Sequence, residues 1–114
     1  MYDNVFDNLA IELHKNAVEK GFWGSPEDHD AVNDIFVAKQ CMMIVSEVTE
    51  VMEAIRKDKG EEEITKEFAD ILIRTLDLYA GVVNAGYTKL SLDHAFVEKV
   101  EFNKTRPEKH GVRF

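Results

Sequence analysis

The sequence predicts an all-α protein, a compact four-helix bundle that forms a single domain over residues 1–114. The chain has 114 residues, which is the length of one domain. Its apolar residues recur at helical spacing, and no stretch alternates apolar and polar residues for long. Apolar residues make up 45% of the chain and charged residues 32%, as in an ordinary globular domain with a buried core.

The first two helices are predicted over residues 3–20 and 31–57. Ser25 is a candidate N-cap for the second helix, and Asp30 is the alternative one turn later. The second helix has a candidate buried seam of residues that repeat at steps of four and three. These residues are Cys41, Val45, Val48, Met52 and Ile55.

The third and fourth helices are predicted over residues 61–84 and 92–104. Three glutamates begin the third helix, where the positive end of the helix dipole favours acidic side chains. Ser91 is the predicted N-cap of the fourth helix, and residues 105–114 are a tail. The third helix has its own candidate seam at helical spacing, made of Ile64, Phe68, Leu72, Thr75, Tyr79 and Val82.

Charge and cysteine content narrow the function classes. The chain has 22 acidic and 14 basic residues, a net charge of −8, and this sign disfavours a nucleic-acid polymer as partner. The single cysteine excludes an internal disulfide and fits a reducing compartment. No signal peptide is visible, and the longest uncharged apolar run, residues 41–45, is far shorter than the ~18 residues that a membrane span needs. We therefore expect a cytoplasmic protein without a membrane partner.

Two pairs of acids stand out on neighbouring helices. Glu47 and Glu50 are three residues apart on the second helix, so they share a face, and Glu67 and Asp70 do the same on the third. Ideal helix geometry places Glu47 about 120° from the centre of the predicted seam. Because Phe36, Gln40 and Met43 follow the same face as the first pair, we expect the acids to line a partly covered groove. Covering it in so short a chain predicts a partner subunit, so that oligomerisation completes the bundle.

Converging carboxylates repel one another, and two outcomes relieve the repulsion. They become partly protonated, or they bind divalent cations. An all-carboxylate set favours Mg²⁺, with Mn²⁺ as a substitute, whereas Zn²⁺ favours histidine or cysteine. The plain alternative is that glutamates three apart on a helix are ordinary solvated surface.

The fourth helix carries a complementary line of polar and basic residues. Lys99, Asn103 and Arg106 follow one another at helical spacing. Basic residues near a helix C-terminus are also favoured by the dipole. Beside a metal–carboxylate site, however, lysine and arginine are natural phosphate ligands.

Together these segments resemble a known family. Ser46-Glu47-Val48-Thr49-Glu50, Glu67-Phe68-Ala69-Asp70, and Lys99, Asn103, Arg106-Pro107 and His110-Gly111 follow in the order seen in MazG-like all-α nucleoside triphosphate pyrophosphohydrolases. Ser46 stands where that family often has its first glutamate. In this respect the chain resembles the dCTP-pyrophosphatase-like branch, in which small residues occur at this position. We therefore do not expect Ser46 to be a metal ligand.

The resemblance implies an activity and an assembly. It implies Mg²⁺-dependent hydrolysis of nucleoside triphosphates to monophosphate and pyrophosphate, for the removal of deoxynucleotides such as dCTP or dATP or of non-canonical nucleotides. It also implies a homodimer or homotetramer whose helices complete the site.

The resemblance also implies roles for individual residues. The metal ligands would be Glu47, Glu50, Glu67 and Asp70. Either Glu47 or Glu50 would position the attacking water, and these two stay equivalent. Lys99 and Arg106 would stabilise charge on the pyrophosphate, and Asn103 would bind sugar or phosphate.

Base recognition is assigned from aromatic and amide side chains. Phe36 shares the acidic face, and Gln40 beside it is a candidate to read the edge of a base. Trp23 is a further candidate for stacking, with burial against the second helix as the alternative.

Other function classes stay open on the sequence alone. A non-catalytic helical oligomerisation or regulatory module with a solvated acidic face is the main alternative. A di-iron bundle would need Glu-x-x-His pairs, which these helices lack. Capture of a polyamine by the acids is a further alternative.

Overall fold

The computed structural model describes residues 4–24 and 32–107, and their regular structure consists of four α-helices without a strand. The helices are α1 (Val5–Glu19), α2 (Asp34–Arg56), α3 (Glu61–Asn84) and α4 (Leu92–Thr105). The all-helical class is therefore confirmed. None of the described helices is both long enough and apolar enough to span a membrane.

Helix boundaries agree closely with the sequence prediction where the structure describes them. Helix α3 occupies the predicted residues, and α4 extends one residue further than predicted. The Ser91 side chain accepts a hydrogen bond from the backbone N–H of His94, at 3.1 Å, and so caps α4 as predicted. Helix α2 is capped by Asn33, whose side chain accepts from the N–H of Phe36 at 2.9 Å. The predicted caps Ser25 and Asp30 lie outside the described residues.

Two aspartates join the N-termini of α1 and α4. Asp93 is 3% exposed, and its carboxylate accepts the backbone N–H groups of Phe6 and Asp7 at 2.9 and 2.7 Å. In return, the Asp7 carboxylate accepts the N–H of Leu92 at 2.8 Å and the hydroxyl of Ser91. Each carboxylate thus satisfies free N–H groups at the start of the other helix, and the exchange fixes α4 against α1.

Helix α3 is central, because both α1 and α2 pack against it. The core between α1 and α3 contains Ala10, Leu76 and Ala80, with Phe6 and Leu13 packed around it. On α2 the buried residues are Val51 and Ala54. The small side chains at these contacts allow the helix axes to approach closely.

The seam predicted for α2 is wrong as a core within this chain. Val45, Val48, Met52 and Ile55 are each 50–57% exposed, and Cys41 is exposed as well. Helical periodicity identifies residues that share a face, but it does not determine which of two apolar faces packs inward. The inward face of α2 is the narrower one that contains Val51 and Ala54.

The seam predicted for α3 is also mostly outside the core. Phe68 and Leu72 are 54% and 60% exposed, whereas Leu76 is buried against α1. Phe68, Leu72 and the residues of the α2 seam are the apolar side chains of the two predicted seams that stay exposed in the single chain. We call this set the outer apolar face, and its members are Cys41, Val45, Val48, Met52, Ile55, Phe68 and Leu72.

Candidate metal and nucleotide site

Three carboxylates converge between α2 and α3. Oxygen atoms of Glu47, Glu50 and Glu67 all lie within 4.8 Å of one another. Glu47 and Glu50 are brought together by their spacing of three on α2, and the packing of α3 against α2 adds Glu67. The structure therefore brings together three of the four acids that the sequence singled out.

Two oxygens in this cluster are buried without a hydrogen-bond partner. They are Oε2 of Glu47 and Oε2 of Glu67, and no described residue donates to either. The Glu47 side chain is only 12% exposed. A buried carboxylate oxygen without a donor is costly, and a cation bound between the helices would compensate both oxygens at once. The donor set consists entirely of carboxylate oxygens, which fits Mg²⁺ or Mn²⁺.

The crowding of these acids changes the proton affinity of Glu67. Burial, hydrogen bonds with Glu50 and Glu63, and the negative charges of both neighbours together raise the pKa of Glu67 from 4.5 to about 7. Near neutral pH the cluster without a cation therefore holds a proton on Glu67 for much of the time. A bound cation would replace that proton.

A groove of about 540 Å³ extends from the acids along the junction of α1, α2 and α3. Asp70, the fourth predicted ligand, lines this groove beside Glu47 but is outside the tight group of three. Helix α1 supplies one wall through Leu13, Asn16 and Ala17. Helix α1 of the same chain therefore forms one wall of the groove, and cover by a partner subunit stays a prediction.

Three charged residues near the acids were not singled out by the sequence. Glu63 is one of the two acids that raise the pKa of Glu67, and its spacing of four from Glu67 was the available signal. Arg74 and Asp77 line the groove. Arg74 donates from Nε to Oε1 of Glu47 at 2.7 Å.

The basic line of α4 is not brought to the acids within the described part of the chain. Lys99, Asn103 and Arg106 are exposed. The charged groups of Lys99 and Arg106 lie near the ring of Phe102, with Lys99 Nζ 5.4 Å and Arg106 Cζ 6.0 Å from its centroid. Helix α4 packs against α1, and no hydrogen bond or ion pair links these three residues to the acids among residues 4–24 and 32–107. Their role in phosphate binding stays a prediction.

Among the predicted base-binding residues, Gln40 lines the groove. Phe36 lies one turn before Gln40 on α2 and is half-buried. Trp23 is 7% exposed, and its ring lies 5.3 Å from that of Phe36. So little open surface disfavours direct stacking of Trp23 on a base. It favours a supporting role beneath Phe36 instead.

Trp23 is held from two sides. Its Nε1 donates to both carboxylate oxygens of Asp77, at 2.9 and 3.1 Å, and Nδ1 of His14 lies 2.8 Å from Asp77 Oδ1. The indole ring also packs directly on Gly81 of α3, where a Cβ atom would lie 2.1 Å from the ring. This packing fixes the residues that follow α1 against the groove.

Comparison with known proteins connects this geometry to a family. Residues 38–109 match a family model described as the MazG nucleotide pyrophosphohydrolase domain. The match includes all four predicted metal ligands and the basic line of α4, but not Trp23 or Phe36. Neither a curated protein nor a solved structure is significantly similar to the chain.

Proposed function

Because the chain belongs to the MazG nucleotide pyrophosphohydrolase family, we propose that it hydrolyses nucleoside triphosphates to the monophosphate and pyrophosphate with Mg²⁺. The observation that carries this proposal is the cluster of Glu47, Glu50 and Glu67 with two buried oxygens that lack partners. The cluster borders a groove that is large enough for a nucleotide.

Four side chains would hold the cation: Glu47, Glu50, Glu67 and Asp70. Mn²⁺ is a plausible substitute for Mg²⁺ because both prefer oxygen ligands. A divalent cation bound there supplies charge neutralisation for the polyphosphate and makes water easier to deprotonate. Glu47 or Glu50 would orient the water that attacks the α-phosphorus and accept its proton, because both lie within the cluster.

Phosphate and base binding would use further side chains. Lys99 and Arg106 would stabilise the negative charge on the departing pyrophosphate, and Asn103 would bind sugar or phosphate. Since these residues are exposed on α4 and do not contact the acids of their own chain, we propose that they serve the site of another copy. Phe36 would stack on the base and Gln40 would read its edge, with Trp23 supporting Phe36. The substrates would be deoxynucleotides such as dCTP or dATP, or non-canonical nucleotides.

A homodimer or homotetramer is supported by the outer apolar face. Its seven residues include Val48, Met52 and Leu72, each at least half exposed. Exposed apolar residues at helical spacing on two neighbouring helices are what a subunit interface would use, because large apolar patches are uncommon on soluble monomers. A second copy that covers this face would bury it and bring an additional α4 into the assembly.

The experiment is hydrolysis of a panel of canonical and modified triphosphates by the purified chain with Mg²⁺. The expected products are the nucleoside monophosphate and pyrophosphate, with no turnover in EDTA. Release of orthophosphate, or no turnover of any triphosphate, would contradict the proposal. Glu50→Gln should abolish this turnover. Glu53→Gln is its matched control and should keep the activity, because Glu53 is on the same helix but pairs with Arg56 at the surface.

The second candidate is a non-catalytic helical oligomerisation or regulatory module. The outer apolar face is the observation that favours it, because such a face serves assembly without catalysis. This candidate expects solvated acids, and the buried oxygens of Glu47 and Glu67 argue against that. Stabilisation of the protein by Mg²⁺ together with turnover would exclude it.

A further inference from the structure

Arg74 makes an unusual ion pair across the site. Its Nε lies 2.7 Å from Oε1 of Glu47, so the pair joins α3 to α2. The other lysine and arginine ion pairs among the described residues are three or four residues apart on one helix, as in Arg56–Glu53. Arg74 is therefore the one described lysine or arginine that forms an ion pair between helices.

The pair leaves hydrogen-bonding capacity free on both sides. Arginine has five N–H donors, and of these only Nε–H bonds within residues 4–24 and 32–107, so neither terminal nitrogen of Arg74 has a partner there. On the other side, Oε2 of Glu47 is buried without a partner. The Arg74 side chain is 39% exposed and lines the groove together with Asp70 and Asp77. It can therefore reach a ligand there without unfolding of the helix.

From this geometry, and resting on the proposed function, we propose that Arg74 changes partner during binding. It is the counter-ion of Glu47 while the acids hold no cation. It becomes a ligand of the substrate's phosphates once Mg²⁺ binds Glu47.

The physical reason is competition between like charges. A guanidinium and a divalent cation at one carboxylate repel each other, so the arrival of Mg²⁺ weakens the hold of Glu47 on Arg74. A polyphosphate in the groove attracts the released guanidinium, whose planar donors match phosphate oxygens. Removal of Arg74 should therefore have opposite effects on the two ligands, tighter binding of Mg²⁺ and weaker binding of polyphosphate.

A purely structural ion pair makes a different prediction. Arg74→Gln would then reduce stability by uncovering Glu47 and would tighten the binding of Mg²⁺ by removing a competing cation, but it would leave the affinity for tripolyphosphate unchanged. Weaker binding of tripolyphosphate is therefore the distinguishing result. Arg56→Gln is the matched control, because Arg56 pairs with Glu53 at the surface of α2.

The experiment is titration calorimetry on the full chain, first with Mg²⁺ alone and then with tripolyphosphate at saturating Mg²⁺. Arg74→Gln should bind Mg²⁺ roughly three- to tenfold more tightly and tripolyphosphate roughly tenfold more weakly, as expected when one charged contact of ordinary strength is gained or lost. Arg56→Gln should match the wild type in both titrations. An unchanged affinity for tripolyphosphate, or two changes in the same direction, would overturn the inference while leaving the proposed function in place.

A second measurement uses the wild-type chain and does not depend on the folding of a variant. The side-chain Nε–H resonance of Arg74 should shift when Mg²⁺ is added and shift again with tripolyphosphate, while that of Arg56 stays in place. An Arg74 resonance that does not respond to either addition would overturn the inference. Failure of the wild type to bind Mg²⁺ at all would instead overturn the proposed function, and this inference with it.

Discussion

Glu47 and Glu67 face each other from neighbouring helices, and each has a buried Oε2 atom that no described residue bonds. In a folded protein such oxygens nearly always have a partner, because an unbonded buried acceptor loses its hydration without compensation. Both oxygens belong to one carboxylate cluster, so the proposed cation would compensate the two of them together. The predictions about catalysis and pH dependence follow from this relationship.

The first prediction concerns the predicted metal ligands themselves. Glu50→Gln and Asp70→Asn each remove a negative charge without changing side-chain size, so each should reduce kcat/KM by about 100-fold or more, the usual order when a group that stabilises transition-state charge is lost. Steady-state pyrophosphate release measures the loss, and far-ultraviolet circular dichroism checks that the helices are retained. Glu53→Gln, a surface change on the same helix, should keep wild-type activity. A near-normal rate in either test variant would remove that residue from the site.

The second prediction concerns pH. The pKa of Glu67 is about 7 in the folded chain, against an ordinary value of 4.5. Between these values the folded state binds more protons than the unfolded state, so this group's contribution to stability is present below about pH 4.5 and is lost as pH rises through 7. Urea unfolding in EDTA at several pH values between 5 and 8 should therefore show decreasing stability.

Two controls test the origin of that pH dependence. Saturating Mg²⁺ should remove most of it, because the cation takes the place of the proton. Glu67→Gln should remove it in EDTA, because the variant has no group to titrate at that position. If the slope persists in Glu67→Gln, another group is responsible.

How much could be predicted from the sequence differs between elements and faces. Helix α3 and the Ser91 cap of α4 were predicted correctly because turn and cap chemistry is local. The faces of α2 and α3 that pack inward were not predicted correctly. Helix α2 has two apolar stripes, and only the packing of α3 against it decides that Val51 turns inward and Met52 outward. The sequence also groups Glu47 with Glu50 correctly, since both lie on one helix.

The contacts that the sequence missed join residues far apart in the chain. Arg74 contacts Glu47 from 27 residues away, and Asp93 contacts the backbone of Phe6 from 87 residues away. Helical periodicity carries no information about such pairs, because it describes one helix at a time. They emerge only when the packing of α3 on α2 and of α4 on α1 is known.

The third prediction tests the exchanged helix caps. Asp93→Asn keeps the shape of a buried side chain. It removes the negative charge and replaces one of the two carboxylate oxygens that accept the N–H groups of Phe6 and Asp7. Loss of a cap of this kind should reduce the free energy of unfolding by about 1–2 kcal/mol. Chemical denaturation measures the change, and Asp58→Asn, in the turn after α2, is a control expected to have little effect. A loss no larger than in the control would show that the exchange contributes little to stability.

The fourth prediction concerns the contact between Trp23 and Gly81. Glycine to alanine within a helix ordinarily stabilises it by about 1 kcal/mol. Here the new Cβ atom would lie 2.1 Å from the indole ring, so Gly81→Ala should instead destabilise the protein by about 1–3 kcal/mol. Thermal unfolding and tryptophan fluorescence measure the effect. In a Trp23→Ala background the same substitution should become neutral or stabilising, and a penalty that persists there would contradict this explanation.

The last prediction tests whether a second copy covers the outer apolar face. Leu72→Glu and Val48→Glu place a charge where both side chains are at least half exposed in the single chain, so an isolated monomer would tolerate them. In an assembly that buries this face, the charge would lose its hydration, and light scattering should show a shift to monomer. Ile11→Glu, at a 64% exposed position on α1, is the control that should keep the assembly intact. Because the α4 residues are proposed to serve a neighbouring copy, the monomeric variants should also lose triphosphate hydrolysis, and a fully active monomer would contradict that arrangement.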